Sequence, residues 1–160
     1  MQILILKCRP KAKLPIVSWL IMFFQNMMPW KKESYSHMAI NSGSRVYDIS
    51  GKGFANRNIN DFAKKYYIID SLSINVPPFY FESWIRSNFD KKYDRLQIVG
   101  LLLKSLGIIS FNRLGQDYKK LICCELIVSM LKELKNAKVK DSDNYDLHLT
   151  WELAEEFRNA

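Results

Sequence analysis

The sequence predicts an α+β fold, a small antiparallel sheet packed on helices, and three features carry that expectation. Residues 121–131 (LICCELIVSML) read as the first turns of a helix that is apolar almost all the way round. Glu125, Ser129, Lys132 and Glu133 break the pattern, and their spacing confines them to one narrow stripe, so this helix belongs at the centre of a domain. Residues 35–49 read as a hairpin, two strand-like runs around Asn41-Ser42-Gly43-Ser44. The remaining apolar segments give the order strand, helix, strands, helices, central helix, tail.

A chain of 160 residues is one domain, large enough to bury a core without disulfide staples. Hydrophobic content of 48% with 6 Gly and 5 Pro excludes a disordered or low-complexity chain. A formal charge of +8 suits an anionic partner, but the basic residues are scattered as pairs such as Lys64-Lys65 and Lys119-Lys120 with no long run. A solvated basic surface is therefore the expectation, and nucleic-acid binding is not. The cysteines are Cys8, Cys123 and Cys124; an odd count with an adjacent pair is no disulfide framework and favours a reducing, cytoplasmic compartment. Together with His37 and His148 they show neither C-x-x-C nor H-x-x-x-H spacing, so no metal site is expected, and no cofactor is implied.

Along the chain, residues 2–6 (QILIL) form a short strand. Residues 14–24 (LPIVSWLIMFF) follow a basic stretch, as in a signal peptide, but no small-x-small cleavage site comes after them. They fall short of the ~20 apolar residues that span a bilayer. Trp19, Leu20, Phe23 and Met27 have helical spacing, which predicts a helix ending before Pro29, buried or touching a membrane surface. In the hairpin, pairing Ile40 with Arg45, or Asn41 with Ser44, places His37 directly across from Asp48 on the same sheet face. A one-residue slip would separate them. Residues 50–58 read as a Gly- and Asn-rich loop and residues 60–65 as a helical turn capped by Asn58 or Asn60. Residues 66–74 read as a third strand. Residues 79–89 form a helix with Trp84 and Ile85 inward, and residues 94–106 another stopped by Gly107. After the central helix, residues 136–144 are a polar connector and Thr150 caps a short last helix.

A thiol at a helix start and an imidazole beside a carboxylate are the parts of a Cys–His–Asp constellation. A free thiol titrates near ~8.5, and an imidazolium or a helix N-terminus lowers that value. The imidazole moves the proton, the carboxylate fixes its tautomer, and the backbone N–H at the helix start suits an oxyanion. Each part alone has a plainer reading: a buried Cys is more often packing, a lone strand His more often structural, and an Asp opposite a His more often a surface pair. The spacing leaves open which of the two thiols reacts; they are rotated ~100° apart, so both cannot face His37. His148 reads as a surface residue and Tyr93 as packing.

Ser36-His37-Met38-Ala39-Ile40 resembles the His-bearing strand of the circularly permuted papain-like amidases, a branch of the NlpC-type cysteine peptidase superfamily, and Val46-Tyr47-Asp48 resembles the strand after it. Tyr93-Asp94-Arg95-Leu96 with Gly100 is similar to the helix entry preceding the nucleophile, and Ile122-Cys123-Cys124-Glu125-Leu126-Ile127 to the nucleophile helix with its "CSEL" core. Thr150-Trp151-Glu152-Leu153 resembles the start of the last helix, with Trp151 where the family has Pro, and the family's N-terminal Gly-Asp is not visible. The matches run in order over about residues 34–154, with residues 1–33 adding a strand and the apolar helix to the same 1–160 domain. The resemblance implies a permuted order with His before Cys, and a partly barrel-like sheet with the nucleophile helix packed on it. It implies Cys123 as nucleophile, His37 as base and Asp48 as the third residue, where the family often has Glu. It further implies a thiol hydrolase forming an acyl-enzyme from an amide, such as a peptide or cell-wall (peptidoglycan) peptide. Acyl-lipid or thioester chemistry on the same scaffold, or a binding protein with a vestigial triad, are the alternatives. Exposure of residues 14–24 would favour lipid, burial peptide. Oligomeric state is open.

Overall fold

The computed structural model describes residues 1–9, 36–110 and 119–133. The expectations for residues 14–24, residues 136–144, His148 and the helix at Thr150 lie outside them. The described chain is mixed α+β, as the apolar patterning predicts. Five antiparallel strands, β1 (Gln2–Cys8), β2 (His37–Ser42), β3 (Arg45–Ser50), β4 (Gly53–Asn58) and β5 (Tyr66–Ser73), form one sheet in the order β4-β3-β2-β1-β5. Four helices accompany it: α1 (Ile59–Ala63), α2 (Pro78–Asn88), α3 (Arg95–Ser105) and α4 (Cys123–Glu133). A short parallel pair, β6 (Lys92–Tyr93) with β7 (Lys120–Leu121), leads into α3 and α4.

Local chemistry explains the boundaries. Asn58 caps α1 by accepting from the Asn60 N–H, Pro opens α2, and Asp94 caps α3 through the Gln97 N–H at 3.0 Å. Gly107, at φ 71°, follows the C-cap of α3 and takes a left-handed conformation open to glycine.

Two expectations need correction. Residues 53–58 are not loop but strand β4, paired with β3 from Arg45↔Asn58 to Ser50↔Gly53. Gly53 sits at φ 96° against Lys91, where an added Cβ would meet the Lys91 carbonyl oxygen at 2.9 Å; the residue that reads as loop is required by close backbone approach. The β2–β3 register also differs. Ser42 pairs with Arg45 and Ile40 with Tyr47, so the turn is Gly43-Ser44, with Gly43 at φ 63° supplying the left-handed residue of a two-residue turn. The offset from the expected register is two residues, which preserves side-chain parity. His37 and Asp48 therefore share a face but are diagonal neighbours, with Asp48 level with Ala39.

Parity sorts the strands between two cores. Ile3, Ile5, Met38, Ile40 and Ile49 point to one face, where Trp84 of α2, Ile98 of α3 and Cys123, Cys124, Leu126, Ile127 and Leu131 of α4 cover them. Leu4, Leu6, Ala39 and Val46 point to the other, closed by Phe62 of α1 and Tyr66 of β5. The polar stripe of α4 faces neighbouring helices: Trp84 Nε1 donates to Ser129 Oγ at 2.9 Å, and Glu125 accepts from Gln97. The Trp84 indole and the Glu125 carboxylate thus find partners inside the helical layer.

Candidate active site

The first turn of α4 is built by Glu125. The Leu126 N–H bonds to the Ile122 carbonyl, so Ile122 stands in the cap position, and Glu125 Oε2 reaches back to the Ile122 N–H at 3.0 Å. This is the carboxylate half of a capping box, with an apolar residue where Ser or Thr would supply the other half. Burial pushes the Glu125 carboxyl above its usual range, against the hydrogen bonds from Gln97 and Ile122 that favour its charge. Cys123 is the first residue of the helix, and its amide lies ahead of the first i→i−4 bond.

Across from this turn, His37 opens β2. Its Nε2 lies 3.0 Å from Asp48 Oδ2, both side chains buried. That contact occupies one ring nitrogen, and the Cys123 side chain lies near enough to the ring to raise its titration. The imidazole thus has a carboxylate bonded to it and a thiol in its neighbourhood. Tyr66 stacks on it with ring centroids 5.2 Å apart, and Phe62 stacks on Tyr66 at 4.7 Å.

The electrostatics follow from this packing. Burial alone would push the His37 proton off; Tyr66, the Asp48 hydrogen bond and the Cys123 contacts outweigh it, and the imidazole titrates well above its usual value. Burial, then the neighbouring Cys123, Cys124 and Tyr66, raise the Tyr93 phenol well above its ordinary range, with Arg95 opposing. Tyr93 belongs to the helical core, as its packing role predicts, yet it also borders the Cys123 thiol.

All three residues singled out from the sequence, His37, Asp48 and Cys123, are brought together. Cys124, one position on, is buried in the helical core at 1% exposure. Cys123 is itself 2% exposed and His37 5%. Among the described residues no cluster of three or more His, Cys, Asp or Glu could hold a metal. No helix among them is long and apolar enough to cross a membrane. An open depression lined by Gln2, Asn41, Ser73 and Asn75 lies at the other end of β1 and β2 from His37 and has no part in this arrangement.

Sequence reading missed two neighbours. Arg57 places Nε 3.3 Å from Asp48 Oδ1, an ion-pair distance without hydrogen-bond alignment, since Oδ1 has no hydrogen-bond partner among the described residues. Tyr66 forms the stacking wall. Reading Gly51-Lys52 as a two-residue turn would have exposed β4, and the resulting parity puts Arg57 on the His37 face. Comparison with known proteins gives no further guide: no family model, no curated protein and no solved structure matches this chain.

Proposed function

We propose that this chain is a cysteine hydrolase of the permuted papain-like type that cleaves an amide bond through an acyl-enzyme on Cys123. The observation that carries the reading is the buried His37 ring, held by Asp48 at 3.0 Å, with the Cys123 side chain near enough to raise its titration. The thiol proton rests on His37, whose imidazole titrates well above its usual value, and in the acylation step the thiolate sulfur attacks the carbonyl carbon. The C–N bond breaks, the leaving amine takes the proton from the imidazolium, and the acyl group remains on sulfur. Water then gives a proton to His37, its oxygen attacks the thioester, and the carboxylic acid leaves as the thiol is restored. Asp48 holds Nε2–H throughout, and the Cys123 amide at the helix start suits the carbonyl oxygen as charge develops on it.

The near-complete burial of Cys123 favours a second reading, a binding protein that keeps the constellation without using it. An activated ester separates the two. With p-nitrophenyl acetate, the hydrolase reading predicts a nitrophenol burst close to one equivalent per chain, with the acetyl group mapped to Cys123 by mass spectrometry. His37→Ala slows the burst by about 10²-fold or more. Acetylation spread over surface lysines, equal in both proteins, would establish the binding protein instead.

A further inference from the structure

The sheet face that carries His37 holds a second cation which the chemistry above leaves unused. His37 opens β2, Asp48 and Ser50 lie on β3 and Arg57 on β4, and the β3–β4 register puts Arg57 opposite Val46, diagonal to Asp48. Arg57 Nη2 donates to Ser50 Oγ at 2.9 Å while its Nε stands 3.3 Å from Asp48 Oδ1, so the guanidinium is held on two sides. Asp48 is fully buried, and its other oxygen, Oδ2, takes His37 Nε2. One carboxylate therefore serves a permanent cation and a titratable one.

We propose that Arg57 is a positioning residue: it fixes Asp48 through Oδ1 and shares that carboxylate's charge with His37, thereby setting how readily the imidazole gives up its proton. The guanidinium supplies a positive charge beside Oδ1. Asp48 accordingly keeps a positive neighbour in both protonation states of His37, and Nε2–H stays on Oδ2. Without Arg57, the full attraction of Asp48 falls on the imidazolium, which then holds its proton to higher pH and becomes a poorer donor to a leaving group. The other groups facing His37 are Tyr66 from β5 and Cys123 from α4, with Tyr93 of β6 beside Cys123. Tyr93 keeps its phenol proton well above the ordinary range, and the contributions of Tyr66 and Cys123 enter wild type and variants alike. The purpose of this role rests on the hydrolase reading; its test does not.

The chain has two histidines, so a His148→Gln background carrying labelled histidine leaves the His37 ring as the single imidazole signal in an NMR titration of the full chain. Arg57→Met and Arg57→Gln are both made, each checked for folding by its thermal melt, so that one folded neutral variant suffices. The midpoint of His37 is expected to rise by about half a pH unit or more in the neutral variant. Arg57→Lys, which restores the charge, is expected to return it to within about 0.2 of the parent. A midpoint that stays put in a folded neutral variant, or that Lys does not restore, overturns the assignment. If Cys123 never acylates while the His37 midpoint still follows residue 57, the hydrolase reading falls and the role of Arg57 stands.

Discussion

The two faces of the five-stranded sheet are made from the same strands and do opposite things. The helical face buries aliphatic side chains under α2, α3 and α4, and its polar atoms serve packing: Trp84 to Ser129, Glu125 to the start of α4. The other face has a small apolar cluster of six buried residues, closed by Phe62 and Tyr66, and spends the rest of its buried surface on His37, Asp48 and the inner edge of Arg57. Burying ionisable groups costs stability unless each is paired, so this face is held by pairing as much as by area. Cys123 belongs to the helical core yet influences the titration of an imidazole carried on the opposite face. The difference teaches where chemistry can be sited: one face supplies rigidity to the helix that carries the thiol, and the other supplies charge.

Substitutions can separate the two contributions. The largest effect is expected on the helical face. Trp84→Ala removes a fully buried indole and its bond to Ser129 and is expected to cost about 3–5 kcal/mol in denaturant unfolding. The relative reactivity of Cys123 and Cys124 in the remaining folded protein should not change. Loss of the Cys123 preference at a concentration of denaturant that leaves the chain folded would show that the faces are not separable.

The second effect is one of pH, on the charged face. Below about pH 6.5 the His37 imidazole is protonated in folded and unfolded chains alike, and its pairing contributes in full. Above that value the unfolded chain releases the proton while the folded one retains it, because the folded imidazole titrates well above its usual value. Stability therefore falls as pH rises from neutrality through the folded titration, and the contribution is lost beyond it. His37→Ala should flatten this part of the stability profile, measured by chemical unfolding across pH, whereas Trp84→Ala should lower the profile without changing its slope. A wild-type profile that rises with pH over this interval contradicts the pairing.

The smallest effect is expected at Cys124. Cys124→Ala trims one buried atom from the helical core, about 1 kcal/mol, and should leave the labelling of Cys123 unchanged. If labelling vanishes in Cys124→Ala, the reactive thiol has been assigned to the wrong cysteine.

The sequence made the charged face legible through parity and little else. A period of two is robust to the two-residue error in register, so the His37–Asp48 relation emerged although the turn was placed wrongly. Gly43 and Gly53 mark why: their positive φ values come from a tight turn and from the approach of Lys91, and neither can be read from residue type alone. Arg57 was hidden by the separate reading of residues 50–58 as loop, since a strand rich in Asn and Gly resembles loop until its partner is known. The helical face was clearer, because the all-round apolar pattern at residues 121–131 and the stop at Gly107 act locally. Glu125 and Ser129 were visible as a polar stripe, but that the stripe meets Gln97 and Trp84 depends on helix packing that no local signal encodes.

The most direct measurement is the rate of alkylation of Cys123 by iodoacetamide between about pH 5 and pH 9, mapped by mass spectrometry in wild type and His37→Ala. A thiol engaged by the His37 ring is expected to label well below neutrality, faster than Cys124 at every pH, and to slow by about 10-fold or more at pH 6 without the imidazole. Labelling of Cys123 that appears only as an ordinary thiol ionises, near ~8.5, and is indifferent to His37 would contradict the account.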